Sequence, residues 1–108
     1  MKSREQAAPW FLYILRCGDN SLYTGIARDV RARLAAHQCG KGARYTRSRG
    51  PLSLCTQRRC GSKGEALRLE YAVKRLTKSE KELLLRPRQL ARFSRRLLGI
   101  SSGGPALP

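Results

Sequence analysis

Trp10 to Cys17 reads WFLYILRC, and Leu22 to Ala27 reads LYTGIA, with the cluster Gly18-Asp19-Asn20-Ser21 between them. Two runs rich in aromatic and aliphatic residues, separated by a dense turn signal, predict an antiparallel hairpin with a loop of four or five residues. Asp29 then stands where a helix N-cap is expected, and Val30 to Gln38 places Val30 and Leu34 on one helical face, with Gly40 as the stop. Cys39 to Pro51 (CGKGARYTRSRGP) mixes glycines and basic residues with one aromatic, which predicts a surface loop with one helical turn at most.

Further along, Leu52 to Arg59 alternates as a third strand. Ser62 with Glu65, and Thr77 with Glu80, are capping-box spacings. The first opens a helix through Leu76, and the second opens one that ends before Pro87. Arg88 to Leu98 is a basic amphipathic segment with Leu90, Phe93 and Leu97 on one face. The expected fold class is α/β in the α+β sense, a small three-stranded antiparallel sheet flanked by helices. Residues 1–8 are expected to be a flexible lead-in, 9–86 the domain, 87–99 a basic helix packed on it, and 100–108 a disordered tail.

The 108 residues allow one domain with a modest core. Lys and Arg number 23 against 7 Asp and Glu, a formal charge of +16. The sequence pI is near 11.1. Such an excess favours a polyanionic partner, nucleic acid first and an anionic membrane surface second. The longest apolar run is far too short to span a bilayer and nothing resembles a signal peptide, so a cytoplasmic location and no membrane partner are expected. The four cysteines, at 17, 39, 55 and 60, lack zinc-ligand spacing and read as free thiols.

Several residues carry candidate chemistry. Arg33 and His37 are one turn apart on a single helix face, an arrangement suited to grip a phosphate and to donate or move a proton. Each alone reads equally well as a surface arginine and a satisfied histidine. Glu70 lies beside the apolar stripe Ala66, Leu69, Val73 and Leu76, where a carboxylate must be paired, protonated or bound to a hard cation such as Mg²⁺. A salt bridge to one of the many arginines of this cation-rich chain is the plainer alternative. Tyr13 and Tyr23 share a sheet face only if the numbers of paired residues sum to an even value; pairing Cys17 with Tyr23 does this and pairing Cys17 with Leu22 does not.

Taken in order, Tyr13 in FLY, Tyr23-Thr24-Gly25, Arg33 and His37 in RARLAAH, the loop KGARYTR and Glu70 in EALRLEYA resemble the GIY-YIG nuclease family, above all its small stand-alone bacterial members. Structure-specific endonucleases of that family are similar from Tyr23 to His37 and around Glu70. The resemblance covers about 65 residues, Trp10 to Leu76, a span counted on the sequence itself. It implies that Tyr13, Tyr23, Arg33, His37 and Glu70 are catalytic, with Glu70 holding one divalent ion, Mg²⁺ or Mn²⁺. It implies metal-dependent hydrolysis of DNA phosphodiesters on structured, damaged or single-stranded DNA, in repair or recombination.

Phe11 and Leu12 stand where the first family motif has glycine and isoleucine, and Thr24 replaces the isoleucine of the second. Nucleic-acid contacts are expected from Arg28, Lys41, Arg44, Tyr45, Arg47, Arg49 and Lys74, with Tyr45 as a stacking surface. The absence of an appended recognition domain in this reading leaves substrate choice to a protein partner. A nucleic-acid-binding module of the same fold, for DNA or RNA, is the alternative.

Overall fold

β1 (Trp10–Arg16) is the middle strand of a three-stranded antiparallel sheet, flanked by β2 (Leu22–Ala27) and β3 (Ser53–Gly61). It earns that position by being apolar on both sides: Leu12 and Ile14 point to one face and Tyr13 and Leu15 to the other, and none is more than 1% exposed. The computed structural model describes residues 8–99. Apart from Ala8, the expected lead-in lies outside the described residues, as does the expected tail over 100–108.

Each face of the sheet has its own core. Leu12, Ile14 and Leu22 pack with Ala66, Leu69 and Val73 of α2 (Lys63–Lys74), Leu84 of α3 (Lys78–Leu84) and Leu90 of α4 (Pro87–Leu98). On the other face Tyr13, Leu15 and Ala27 pack with Val30 and Leu34 of α1 (Val30–Gln38). This is the α+β architecture expected from the sequence. Among the described residues no helix is long and apolar enough to cross a membrane.

Local chemistry sets the element ends. The Asp29 carboxylate accepts the Ala32 N–H at 3.0 Å, so α1 starts where a cap was expected. It stops in a Schellman turn: Lys41 N–H donates to Ala36 O at 2.8 Å and Gly40 N–H to His37 O at 3.0 Å, with Gly40 at φ +77°. Both expected capping boxes form, at Ser62/Glu65 and Thr77/Glu80. The Arg16 guanidinium grips Glu82 of α3 through two bonds of 2.9 and 2.8 Å, tying the end of β1 to the helical layer.

Several boundaries differ from the sequence reading. α2 ends at Lys74 rather than Leu76, because Arg75 and Leu76 turn the chain so that Thr77 can adopt the extended conformation of a cap. β3 runs past Arg59 to Gly61, since a register shift near Cys60 lets Gly61 pair with Trp10. β1 ends at Arg16 rather than Cys17, and the hairpin, whose register the sequence left open, closes with Arg16 opposite Leu22. The sum stays even, so Tyr13 and Tyr23 do share a face. All four cysteines are free thiols, Cys17 and Cys60 buried and Cys39 exposed.

Candidate active site

Tyr13 pairs with Gly25 across the hairpin, and its ring lies over the place where any other residue would carry a side chain. A Cβ on Gly25 would sit 2.5 Å from Tyr13 Oη and 2.7 Å from Cζ. Gly25→Ala is therefore expected to push the phenol out of place and away from His37. Overpacking would also destabilise the domain by about 1–3 kcal/mol. A denaturation midpoint checks this, and an alanine variant of native stability would show that the phenol need not be held there.

The displaced ring reaches α1. Tyr13 Oη lies 2.8 Å from His37 Nε2 in a buried contact, and His37 is itself 1% exposed. The 40s loop closes over the imidazole: Gly42 passes so near that a Cβ there would collide with Nδ1. Thr46, 1% exposed, sets its Oγ1 2.9 Å from Nδ1, and the Ala43 N–H donates to Nδ1 at 3.3 Å. A backbone amide proton has a fixed direction, unlike a hydroxyl proton, so this donor assigns the tautomer. Nδ1 accepts from that amide, the Thr46 hydroxyl donates to Ala43 O at 2.9 Å while its oxygen packs against the ring, and Nε2–H faces Tyr13 Oη.

Burial first, and then the Arg33 charge, hold the His37 pKa below its ordinary 6.5, which keeps the ring neutral. Linkage follows in sign. Below pH 6.5 the unfolded chain takes up a proton that the folded ring resists, so stability is full above pH 6.5. It falls as the pH drops toward the lower folded value. The chain has a single histidine. Thermal midpoints measured downward from pH 7 should therefore decline, and His37→Gln should flatten that segment of the curve; an unchanged slope in the variant would place the linkage elsewhere.

Burial pushes the Tyr13 phenol up to about 12, with the neighbouring Tyr23 adding to the rise, Arg33 opposing it and Glu70 adding a little more. Tyr13 thus feels Tyr23, Arg33 and Glu70 together, although they come from β2, α1 and α2. Arg33 is half-buried, interacts by hydrogen bonding with the Tyr13 hydroxyl, and has no carboxylate partner among the described residues, which leaves the rest of its planar fork to an incoming anion. The Glu70 carboxylate, 18% exposed, meets Lys74 Nζ at 3.2 Å. Its partner is thus a helical-neighbour lysine, not one of the arginines.

Tyr23 stands edge-on to His37, ring centroids 5.2 Å apart, and stacks on Tyr45 at 5.8 Å. Lys74 Nζ lies 6.0 Å from the Tyr23 ring centroid. Tyr45 is less free than the sequence suggested. Besides Tyr23 it carries the Arg49 guanidinium over its ring at 4.1 Å, and Arg49 also bonds Asp19 Oδ2 at 2.6 Å. These contacts, with Gly18 N–H donating to Arg49 O, tie the 40s loop to the hairpin turn. Lys41, Arg44 and Arg47 remain exposed on that loop. Arg28 does not join them; its guanidinium lies over Trp10 at 5.4 Å.

Sequence reasoning missed Gly42 and Thr46. Both sit in a segment whose polar, glycine-containing composition looks like any solvated loop, so nothing local marks them as the roof over His37.

No group of three or more His, Cys, Asp or Glu residues that could hold a metal occurs among the described residues. A caged, protein-saturated ion is thereby inconsistent with them. One half-buried carboxylate with a weakly held lysine fits a hard divalent ion that draws its other ligands from water and substrate phosphate.

A three-stranded antiparallel sheet sets two tyrosines against an Arg/His helix, with one acid on a second helix acting on Tyr13, and the family that the chain matches is of nuclease type. The model of the GIY-YIG catalytic domain matches residues 9–83, and the chain belongs to that family. A UPF0213 protein of Cronobacter sakazakii is 55% identical over 76 residues, 70% of this chain and 80% of its own. The UPF0213 protein YhbQ of Salmonella typhimurium is 48% identical over 81 residues, 75% and 81% of the two chains. A protein of E. faecalis solved by solution NMR aligns with a TM-score of 0.54 at 33% identity, over 76% of this chain and 88% of that one.

Proposed function

We propose that this protein is a metal-dependent DNA endonuclease that hydrolyses phosphodiester bonds in structured, damaged or single-stranded DNA. The observation that carries the reading is the buried Tyr13 Oη to His37 Nε2 contact of 2.8 Å, set beside an arginine with no carboxylate partner among the described residues. A buried polar pair next to an open cation is a poor way to stabilise a fold and a good way to prepare one oxygen for proton transfer.

In this reading Arg33 binds two non-bridging oxygens of the scissile phosphate by parallel hydrogen bonds, and so neutralises charge that grows in the transition state. Tyr13, as phenolate, takes a proton from the attacking water; the water oxygen bonds to phosphorus as the bond to the leaving oxygen breaks. His37 Nε2–H holds the phenolate oxygen in place throughout. Tyr23 packs against the imidazole and fixes its plane. Glu70 would hold a divalent ion, which supplies Lewis-acid neutralisation of the phosphate and leaving oxygen when bound. Lys41, Arg44, Arg47 and Lys74 supply charge along the nucleic-acid path.

The test is cleavage of end-labelled single-stranded, duplex and branched DNA with Mg²⁺, Mn²⁺ or EDTA. Metal-dependent products identify the nuclease and rank its substrates. DNA binding without products under all three conditions would assign the isolated chain to nucleic-acid binding instead.

A further inference from the structure

Away from the tyrosine cluster, Arg58, Arg59 and Arg95 line a cavity of about 470 Å³, together with Ser94 and Leu98 of α4. Arg58 pairs with Leu12, whose side chain belongs to the helix-covered core, so Arg58 points to that covered face rather than to solvent. Its Nε is closed off from solvent and has no hydrogen-bond partner. A guanidinium nitrogen in that state is rare, because the group loses its water and receives nothing in return. Its neighbours do not compensate. None of the three arginines has an ion pair among the described residues; Glu65, the one acid that lines the same cavity, bonds Ser62 through Oε1 at 3.1 and 3.3 Å and leaves the three cations in excess.

The same cationic surface continues around the end of the sheet. Arg59 and Gly61 also line a neighbouring cavity of about 470 Å³ with Trp10, Arg28 and Lys63. There the Trp10 ring carries Arg28 at 5.4 Å and Lys63 at 5.2 Å. Arg28, which does not reach the tyrosine cluster, thus belongs to a second basic surface.

We infer that the Arg58–Arg59–Arg95 cavity is a phosphate-binding site distinct from the tyrosine cluster, taking a phosphoryl group either of a nucleic-acid backbone or of a small phosphorylated molecule. A tetrahedral oxyanion accepts several hydrogen bonds at once, so one ligand would satisfy the buried Arg58 Nε–H and neutralise the facing Arg95. The plainer role for an inward arginine on an edge strand is to discourage strand-to-strand aggregation at β3. That role requires no ligand, and the two predict different responses to phosphate.

The experiment is thermal unfolding of the full chain in sodium phosphate and in sodium chloride at matched pH and ionic strength, for wild type, Arg58→Met and Arg95→Ala. Wild type should gain roughly 4–8 °C once phosphate exceeds its dissociation constant about fivefold. Arg58→Met should be at least as stable in chloride, since a guanidinium nitrogen shut off from solvent without a partner is gone, and should lose the phosphate increment. Arg95→Ala, which leaves the buried face alone, should lose most of it too. Phosphate stabilises proteins generally by exclusion, so the difference between variants is the readout. An NMR titration adds a local one: the Arg58 Nε–H resonance should move with inorganic phosphate and not with chloride.

Single-stranded oligonucleotide binding then separates the sources. If the backbone is the ligand, Arg58→Met lowers the slope of log affinity against log salt by about one. If that slope is unchanged while the phosphate increment still depends on Arg58, the ligand is a small phosphorylated molecule. An increment of equal size in wild type and both variants would overturn the proposal and leave Arg58 as an edge guard.

Discussion

Glu70→Gln is expected to lower metal-dependent cleavage by roughly 10³-fold while leaving DNA affinity equal or higher. The substitution keeps the side chain's length and shape and removes its charge. Lys74 loses its 3.2 Å partner, but an i,i+4 helical pair whose lysine is half exposed contributes only about 0.3–0.5 kcal/mol. The fold should therefore survive. Removing Glu70 also relieves one influence that raises the Tyr13 pKa, so the phenolate would be formed more readily, not less. A large loss of rate cannot then be assigned to a scarcer phenolate. It would point to lost capacity to hold a cation against the phosphate, and affinity measured in EDTA would rise or stay level because one negative charge no longer faces the polyanion. If Glu70→Gln cleaves at the wild-type rate, Glu70 is an ordinary partner of Lys74 and the metal reading fails.

The two kinds of information that make up this site differ in how far they could be read from the chain. Helix starts at Asp29, Ser62 and Thr77 depend on bonds that span three residues, and the structure has all of them. The central strand was legible from apolar residues on both of its faces. Sheet parity was not, because one residue more or less in the turn flips every side chain, and composition is the same either way. The Tyr13 to His37 bond joins positions 24 apart and needs that parity, the space over Gly25 and the seating of α1 together.

Glu70 stood out because an acid beside an apolar stripe conflicts with burial. Thr46 and Gly42 conflict with nothing in a polar loop, and their roles appear only once the loop is folded over His37. Arg58 shows the reverse case. In the sequence it is one of 23 cations, and only the pairing of β3 with β1 turns it inward.

Tyr13→Phe should abolish most cleavage, by about 10²–10⁴-fold, and should remove a rise in rate with pH that the wild type shows. The sign follows from the site. With its pKa pushed up to about 12, the free protein holds Tyr13 as the neutral phenol at any ordinary pH. A base that acts as phenolate is then scarce, and its concentration climbs tenfold for each unit of pH until other groups intervene. The logarithm of kcat/KM at saturating metal should accordingly rise with a slope near one over pH 6.5–8.5, and the residual rate of Tyr13→Phe should be flat or much shallower there.

Cation binding enters in the same direction. Arg33 already lowers the phenol's pKa, and a divalent ion offsetting Glu70 would lower it further, so the rise should level off at lower pH as metal concentration is increased. Arg33→Gln should move the profile the other way, toward higher pH, besides weakening phosphate binding. His37→Gln provides the control for geometry. Glutamine can donate one hydrogen bond to Tyr13 Oη, as the Nε2–H does, and should keep more activity than His37→Leu, which leaves the phenol without its donor. A wild-type profile that is flat with pH, or a Tyr13→Phe protein that retains the wild-type slope, would remove Tyr13 from proton transfer and leave it as packing between β1 and α1.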